Sequence, residues 1–221
     1  MAAIPTLTLV DKRCLISLIK IYRLLFGLLT LVAVGVQFSV EFPKPNFNPV
    51  NFFSFFTILG NTLTAALFIF GSARSTTAPP SSNFDLLRGA VVLNMTLVGV
   101  VFSILLAGLE ALVLPWVNVV VHYVIPVVVL ADWLIDPPPS RLTFRKALAW
   151  LGFPLAYVSY VLIRGAFTDW YPYPFLSPVT NGYGSVLAHC LVLFIGLIIA
   201  AWGVVIVGNA LAARRLAVPE T

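Results

Sequence analysis

A hydroxyl beside an imidazole is the smallest side-chain pair able to transfer an acyl group through a covalent intermediate, and the apolar runs of this chain contain both. The imidazole is His122, inside Leu114–Leu134, LPWVNVVVHYVIPVVVLADWL. A histidine in such a run costs free energy unless it has a partner or a task. The hydroxyl is Thr57 in FFSFFTILGN, with Ser54 one helical turn away and Asn61 at i+4 on the same face. In that chemistry His122 takes the proton, Thr57 attacks a carbonyl carbon, and Asn61 or a nearby donor stabilises the oxyanion. Plainer roles stay open, since membrane hydroxyls commonly bond their own i−4 carbonyl and membrane histidines commonly bond a neighbouring helix.

Other side chains could join them. Arg164 in YVLIRGAF could hold a substrate carboxylate, pair with Asp169, or snorkel among headgroups. His189 is either a second proton carrier or a satisfied interface residue. Tyr171 and Tyr173 belong to WYPYPFL, whose aromatics and prolines make a stiff cap able to exclude water, or an interfacial aromatic belt. Asp132 is expected to meet Arg141 or Arg145, Asn94 to join helices, and Cys14 and Cys190 to be inert thiols.

These residues can meet only if helices hold them at one depth. The chain has 221 residues, 60% hydrophobic and 10% charged. Soluble domains carry nearer a quarter charged residues, so the composition is that of an all-α integral membrane protein. Apolar segments at about 17–40, 51–72, 89–110, 114–134, 147–167 and 184–210 are each long enough to cross ~30 Å of hydrocarbon, and Pro-, Ser- and Asn-rich connections part them. They form one six-helix domain over residues 1–221, and the first is read as a retained span rather than a cleaved signal. The connection STTAPPSSN reads as a flexible loop and ALVLP as a tight turn. With both termini cytoplasmic, all of the 13 basic residues except Lys44 and Arg164 fall on the inner side.

Depth follows from topology. Thr57 lies about six residues, roughly 9 Å, below the outer start of its span, and His122 about eight residues, roughly 12 Å, below its own. His189 and Arg164 approach the same outer layer, and WYPYPFL lies above it.

The net charge of +5 comes from short basic clusters between apolar runs, so membrane topology explains it and no nucleic-acid partner is expected. No CxxC, HExxH, phosphate-loop or GxGxxG pattern occurs, so neither a metal nor a cofactor is expected. A haem- or quinone-linked protein would need His122 and His189, the two histidines, as axial ligands. A carrier or assembly partner is a further alternative, although a carrier needs polar groups through both leaflets.

His122 with the following Val-Ile-Pro, the fifth span, WYPYPFL and FFSFFTILGN together resemble the androgen-induced and androgen-dependent tissue-factor-pathway-inhibitor-regulating proteins, and their bacterial membrane relatives more closely. The resemblance runs from the first span to the last. It implies a threonine-type lipid hydrolase in a bacterial plasma membrane, with membrane lipids around it and a lipid ester as substrate. In the vertebrate members that substrate is a fatty acid ester of a hydroxy fatty acid. His122 matches the family histidine. Thr57 matches the family threonine when FFT is aligned, and Ser54 when the alignment slips by three.

Overall fold

The computed structural model of the chain describes residues 9–74, 81–108 and 114–216. STTAPPSSN up to Pro80, the ALVLP turn up to Val113 and the last residues of the third expected span lie outside them. The described chain is helical: α1 (Leu9–Glu41), α2 (Pro49–Phe53), α3 (Phe56–Ala73), α4 (Ser82–Val101), α5 (Pro115–Val119), α6 (Ile125–Ile135), α7 (Phe144–Ala147), α8 (Gly152–Thr168) and α9 (Pro178–Leu216). Two π-helical turns extend the pattern, Phe102–Leu106 after α4 and Val120–Val124 between α5 and α6. Six segments are long and apolar enough to span a bilayer: Cys14–Glu41, Phe56–Ala73, Ser82–Leu106, Pro115–Ile135, Phe144–Thr168 and Pro178–Arg215. The protein is an all-α, multi-pass integral membrane protein.

Local chemistry sets the element ends. Asn48 caps α2 through Oδ1, accepting from Val50 N and Asn51 N, and Pro49 fills the first helical position. Ser81 caps α4 by accepting from Phe84 N. Asp169 ends α8 with φ 52°, the left-handed conformation that releases the chain into WYPYPFL. Gly182, at φ 72°, interrupts α9 near its start.

The core joins α3, α4, α6, α8 and α9 around Phe56, Leu93, Met95, Ile125, Trp133 and Tyr157. Leucines, isoleucines and valines also cover the outside, such as Leu25, Ile104, Ile163 and Val192. An exterior of that kind is stable against lipid and not against water.

One end of the bundle carries a buried charge cluster. Asp132 accepts from Arg23 Nε at 2.6 Å and from Arg88 Nη2 at 2.8 Å. Asp136 accepts from Arg23 at 2.7 Å and Arg215 at 3.2 Å. Arg88 also donates to the carbonyls of Asp132 and Asp136, and Arg215 donates to the carbonyl of Ile135. The expected Asp132 contact with Arg141 or Arg145 is therefore replaced by pairing with α1 and α4. Inside a bilayer two guanidiniums already on neighbouring helices satisfy a buried carboxylate better than side chains that must reach in from a loop.

The second correction concerns the segment 51–72. It is not one helix, because α2 stops at Phe53 and α3 begins at Phe56. Non-helical backbone at this depth needs protein partners, and tyrosines supply them. Tyr157 OH donates to Ser54 O at 2.9 Å, Tyr160 OH pairs with Ser54 Oγ at 2.7 Å, and Tyr173 OH accepts from Thr57 N at 3.4 Å.

Candidate active site

The break before α3 decides what Thr57 can do. Thr30, Thr62, Thr64 and Thr96 each donate to the carbonyl four residues earlier in their own helix. Thr57 lies in the first turn of α3 and has no such carbonyl within that helix. Its Oγ1 instead lies 3.2 Å from His122 Nε2. Both residues are buried, at 8% and 4% exposure.

His122 is held from three sides. Its Nδ1 lies 2.5 Å from Asn118 Oδ1 and 3.2 Å from Asn118 O. Both atoms are acceptors, so the proton belongs on Nδ1 and Nε2 presents a lone pair to the Thr57 hydroxyl. Phe102 stacks on the ring at 3.8 Å. Gly99 lets α4 approach closely, since a Cβ there would stand 3.2 Å from Pro126 and 3.5 Å from the His122 carbonyl. His122 and Phe102 both sit on π-helical turns, which alter the direction of side chains and recur at functional sites.

Asn118 was not among the sequence candidates, yet its signal was present: it lies four residues before His122, on the same helix face. Thr57, His122 and Asn118 form a chain of hydroxyl, imidazole and amide. Such a chain can pass a proton from the hydroxyl to an oriented base.

The other candidates fall elsewhere. Ser54 Oγ is committed to Val50 O at 2.6 Å and to Tyr160, so it does not face the imidazole. Asn61 donates through Nδ2 to Thr57 O at 2.9 Å and to Val121 O at 3.1 Å. With both contacts on backbone it pins α3 to the His122 turn and has no spare N–H for an oxyanion. Tyr173 is in place, its hydroxyl at the Thr57 backbone and its ring edge-on to Phe55.

Tyr171 is not at the site. It packs so closely on Gly165 that no Cβ would fit there, and this contact fastens the aromatic loop to α8. Arg164 donates to Asn51 Oδ1 at 2.5 Å and lies over Trp170 at 5.0 Å, rather than pairing with Asp169. His189 accompanies Ser185, four residues earlier, with Nδ1 2.8 Å from its carbonyl. Asn94 likewise donates to its own helix at Ala90 O. His189 and Asn94 close on local partners because they sit where a regular helix offers an i−4 carbonyl.

Two cavities meet at Thr57. One, of about 270 Å³, is apolar and runs between Phe56, Phe102, Tyr157, Phe175, Phe194 and Leu197. The other, of about 530 Å³, is a vestibule with more polar groups in its lining, among them Gln37, Glu41, Asn48, Asn51 and His122, with Trp170 beside them. A lateral groove of about 520 Å³, bordered by His189, shares Leu97, Val101, Leu193 and Leu197 with the apolar cavity. Among the described residues no group of three or more His, Cys, Asp or Glu could hold a metal ion.

No family model matches the chain, and neither a curated protein nor a solved structure is similar to it.

Proposed function

We propose that the protein hydrolyses a long-chain ester within the membrane, using Thr57 as nucleophile and His122 as base. The observation that carries this is the 3.2 Å approach of Thr57 Oγ1 to His122 Nε2, whose lone pair is left free by the Asn118 acceptors at Nδ1. His122 takes the Thr57 proton as Oγ1 attacks the ester carbonyl. The tetrahedral intermediate then expels the alcohol, which leaves with that proton, and acyl-Thr57 remains. Water activated by the same imidazole attacks the acyl carbon, releases the fatty acid and restores the hydroxyl.

The Thr57 N–H lies at the positive end of α3 and donates to the Tyr173 hydroxyl over a long 3.4 Å, a contact that a developing oxyanion can displace. The apolar cavity suits the acyl chain, and the vestibule gives the alcohol an exit and water an entry. The resemblance to the androgen-induced family supports the same pair of residues. We infer a bacterial plasma membrane, with both termini cytoplasmic and the site in the outer leaflet, a reading supported by that resemblance and by the basic residues crowding one side of the topology.

The test is hydrolysis of a palmitoyl ester by purified protein in detergent. Wild type should turn over, while Thr57→Ala and His122→Ala should each lose activity with the thermal midpoint nearly unchanged. Full activity in both variants would sink the proposal.

A further inference from the structure

We infer that the vestibule selects the alcohol half of the substrate and that it takes a neutral, hydroxyl-bearing headgroup of the glycerol type rather than an anionic one. This rests on the ester-hydrolase proposal for the meaning of the bound group, but not for its binding. Gln37 is 5% exposed and lines the cavity that contains Thr57 and His122. Its Nε2 donates to Glu41 Oε1 at 3.3 Å, while its Oε1 is buried without a partner. A buried acceptor of this kind costs free energy until a donor arrives, and no donor is supplied from within the described chain. Glu41 lines the same cavity and adds a carboxylate.

Among the described residues that line the cavity there is no lysine or arginine. Lys44 pairs with Glu41 at 2.7 Å without lining it, and Arg164 is engaged with Asn51 and Trp170. A carboxylate entering here would meet Glu41 and leave Gln37 Oε1 unsatisfied. A hydroxyl can donate to Gln37 and also accept, which matters because Asn48 spends its oxygen on the α2 cap and retains its N–H groups. The vestibule therefore rejects the free carboxylate of a hydroxy fatty acid leaving group and accommodates a glycerol monoester.

Non-hydrolysable ethers test this on the wild-type chain in lipid nanodiscs, with binding read by displacement of tritiated 1-O-hexadecylglycerol. The alkylglycerol should bind at least tenfold more tightly than hexadecyloxyacetate, its carboxylate counterpart. Gln37→Leu should weaken alkylglycerol binding about tenfold and leave hexadecyloxyacetate unchanged, and Glu41→Gln should narrow the gap between the two. Equal or tighter binding of the carboxylate, tighter binding of a hexadecyl choline ether, or alkylglycerol binding indifferent to both substitutions would overturn the inference. Because no turnover is needed, an inactive Thr57 would leave these results intact. Conversely, an active enzyme with the opposite preference would refute only the headgroup assignment.

Discussion

The two ends of the bundle bury polar groups in opposite ways. At the charged end Asp132 and Asp136 both meet guanidiniums, Arg23 and Arg88 each reaching Asp132 within 2.8 Å, and a cavity of about 170 Å³ borders Asp132. The groups in contact with Thr57 are neutral, and two larger cavities converge on the hydroxyl. Charge buried with full pairing fastens helices together. A lightly bonded hydroxyl facing open volume leaves room for a substrate and a proton to move.

The contrast implies that substitutions at the two ends should fail in different assays. The largest effect is expected at the site. Thr57→Ala should lower kcat by about 10⁴-fold or more, because nothing else near His122 can take the acyl group, while the thermal midpoint stays near that of wild type. Next comes the charged end, where Asp132→Ala removes the nearer counter-ion of both Arg88 and Arg23 and leaves them to share Asp136. A destabilisation of about 3–5 kcal/mol is expected from denaturation in mixed micelles, with any protein that remains folded keeping its turnover per molecule. If Asp132→Ala instead abolished catalysis in stable protein, the division between the two ends would be wrong.

A smaller effect sharpens the site. Asn118→Ala should cut kcat on the order of 10²-fold by releasing the His122 ring and its tautomer, with KM little changed, and Asn118→Asp should restore part of it. A rise in KM with kcat preserved would show Asn118 to be packing only.

How far this division could be read from sequence differs between the two ends. The six spans were legible because hydropathy integrates over about 20 residues and tolerates errors at the ends. That Thr57 and His122 share a depth was legible from helix rise, but that they face each other was not, because helix rotation is set by packing. The break at Ser54–Phe55 was not, since SFF holds neither Pro nor Gly and the interruption is stabilised by tyrosines more than 100 positions away. Arg23 offered a missed signal. An arginine inside the first apolar run demands a buried acid, and Asp132 is a carboxylate in a span at the same end. Asn61 shows the opposite limit, because composition places an amide near the hydroxyl but only packing shows that its N–H groups are already used.

The smallest expected effect is one of pH, and it belongs to the charged end. Burial alone would raise the Asp136 carboxyl, but Arg88, Arg23 and Arg215 outweigh it and hold the group below its usual range. A carboxyl depressed in the folded state contributes stability above its unfolded value near ~3.9, and that contribution fades as pH falls through the lower folded value. The thermal midpoint of wild type should thus drop more than that of Asp136→Asn between about pH 5 and pH 2. Parallel curves would remove Asp136 from the stabilising cluster.

The central claim is tested most directly by covalent labelling. Native membranes carrying the protein would be treated with a fluorophosphonate probe and the modified residue located by peptide mass spectrometry. Labelling on Thr57, kept in Ser54→Ala and lost in His122→Ala, is the expected result. Labelling on Ser54, or labelling of Thr57 that persists in full without His122, would contradict an imidazole-activated threonine at this end of the bundle.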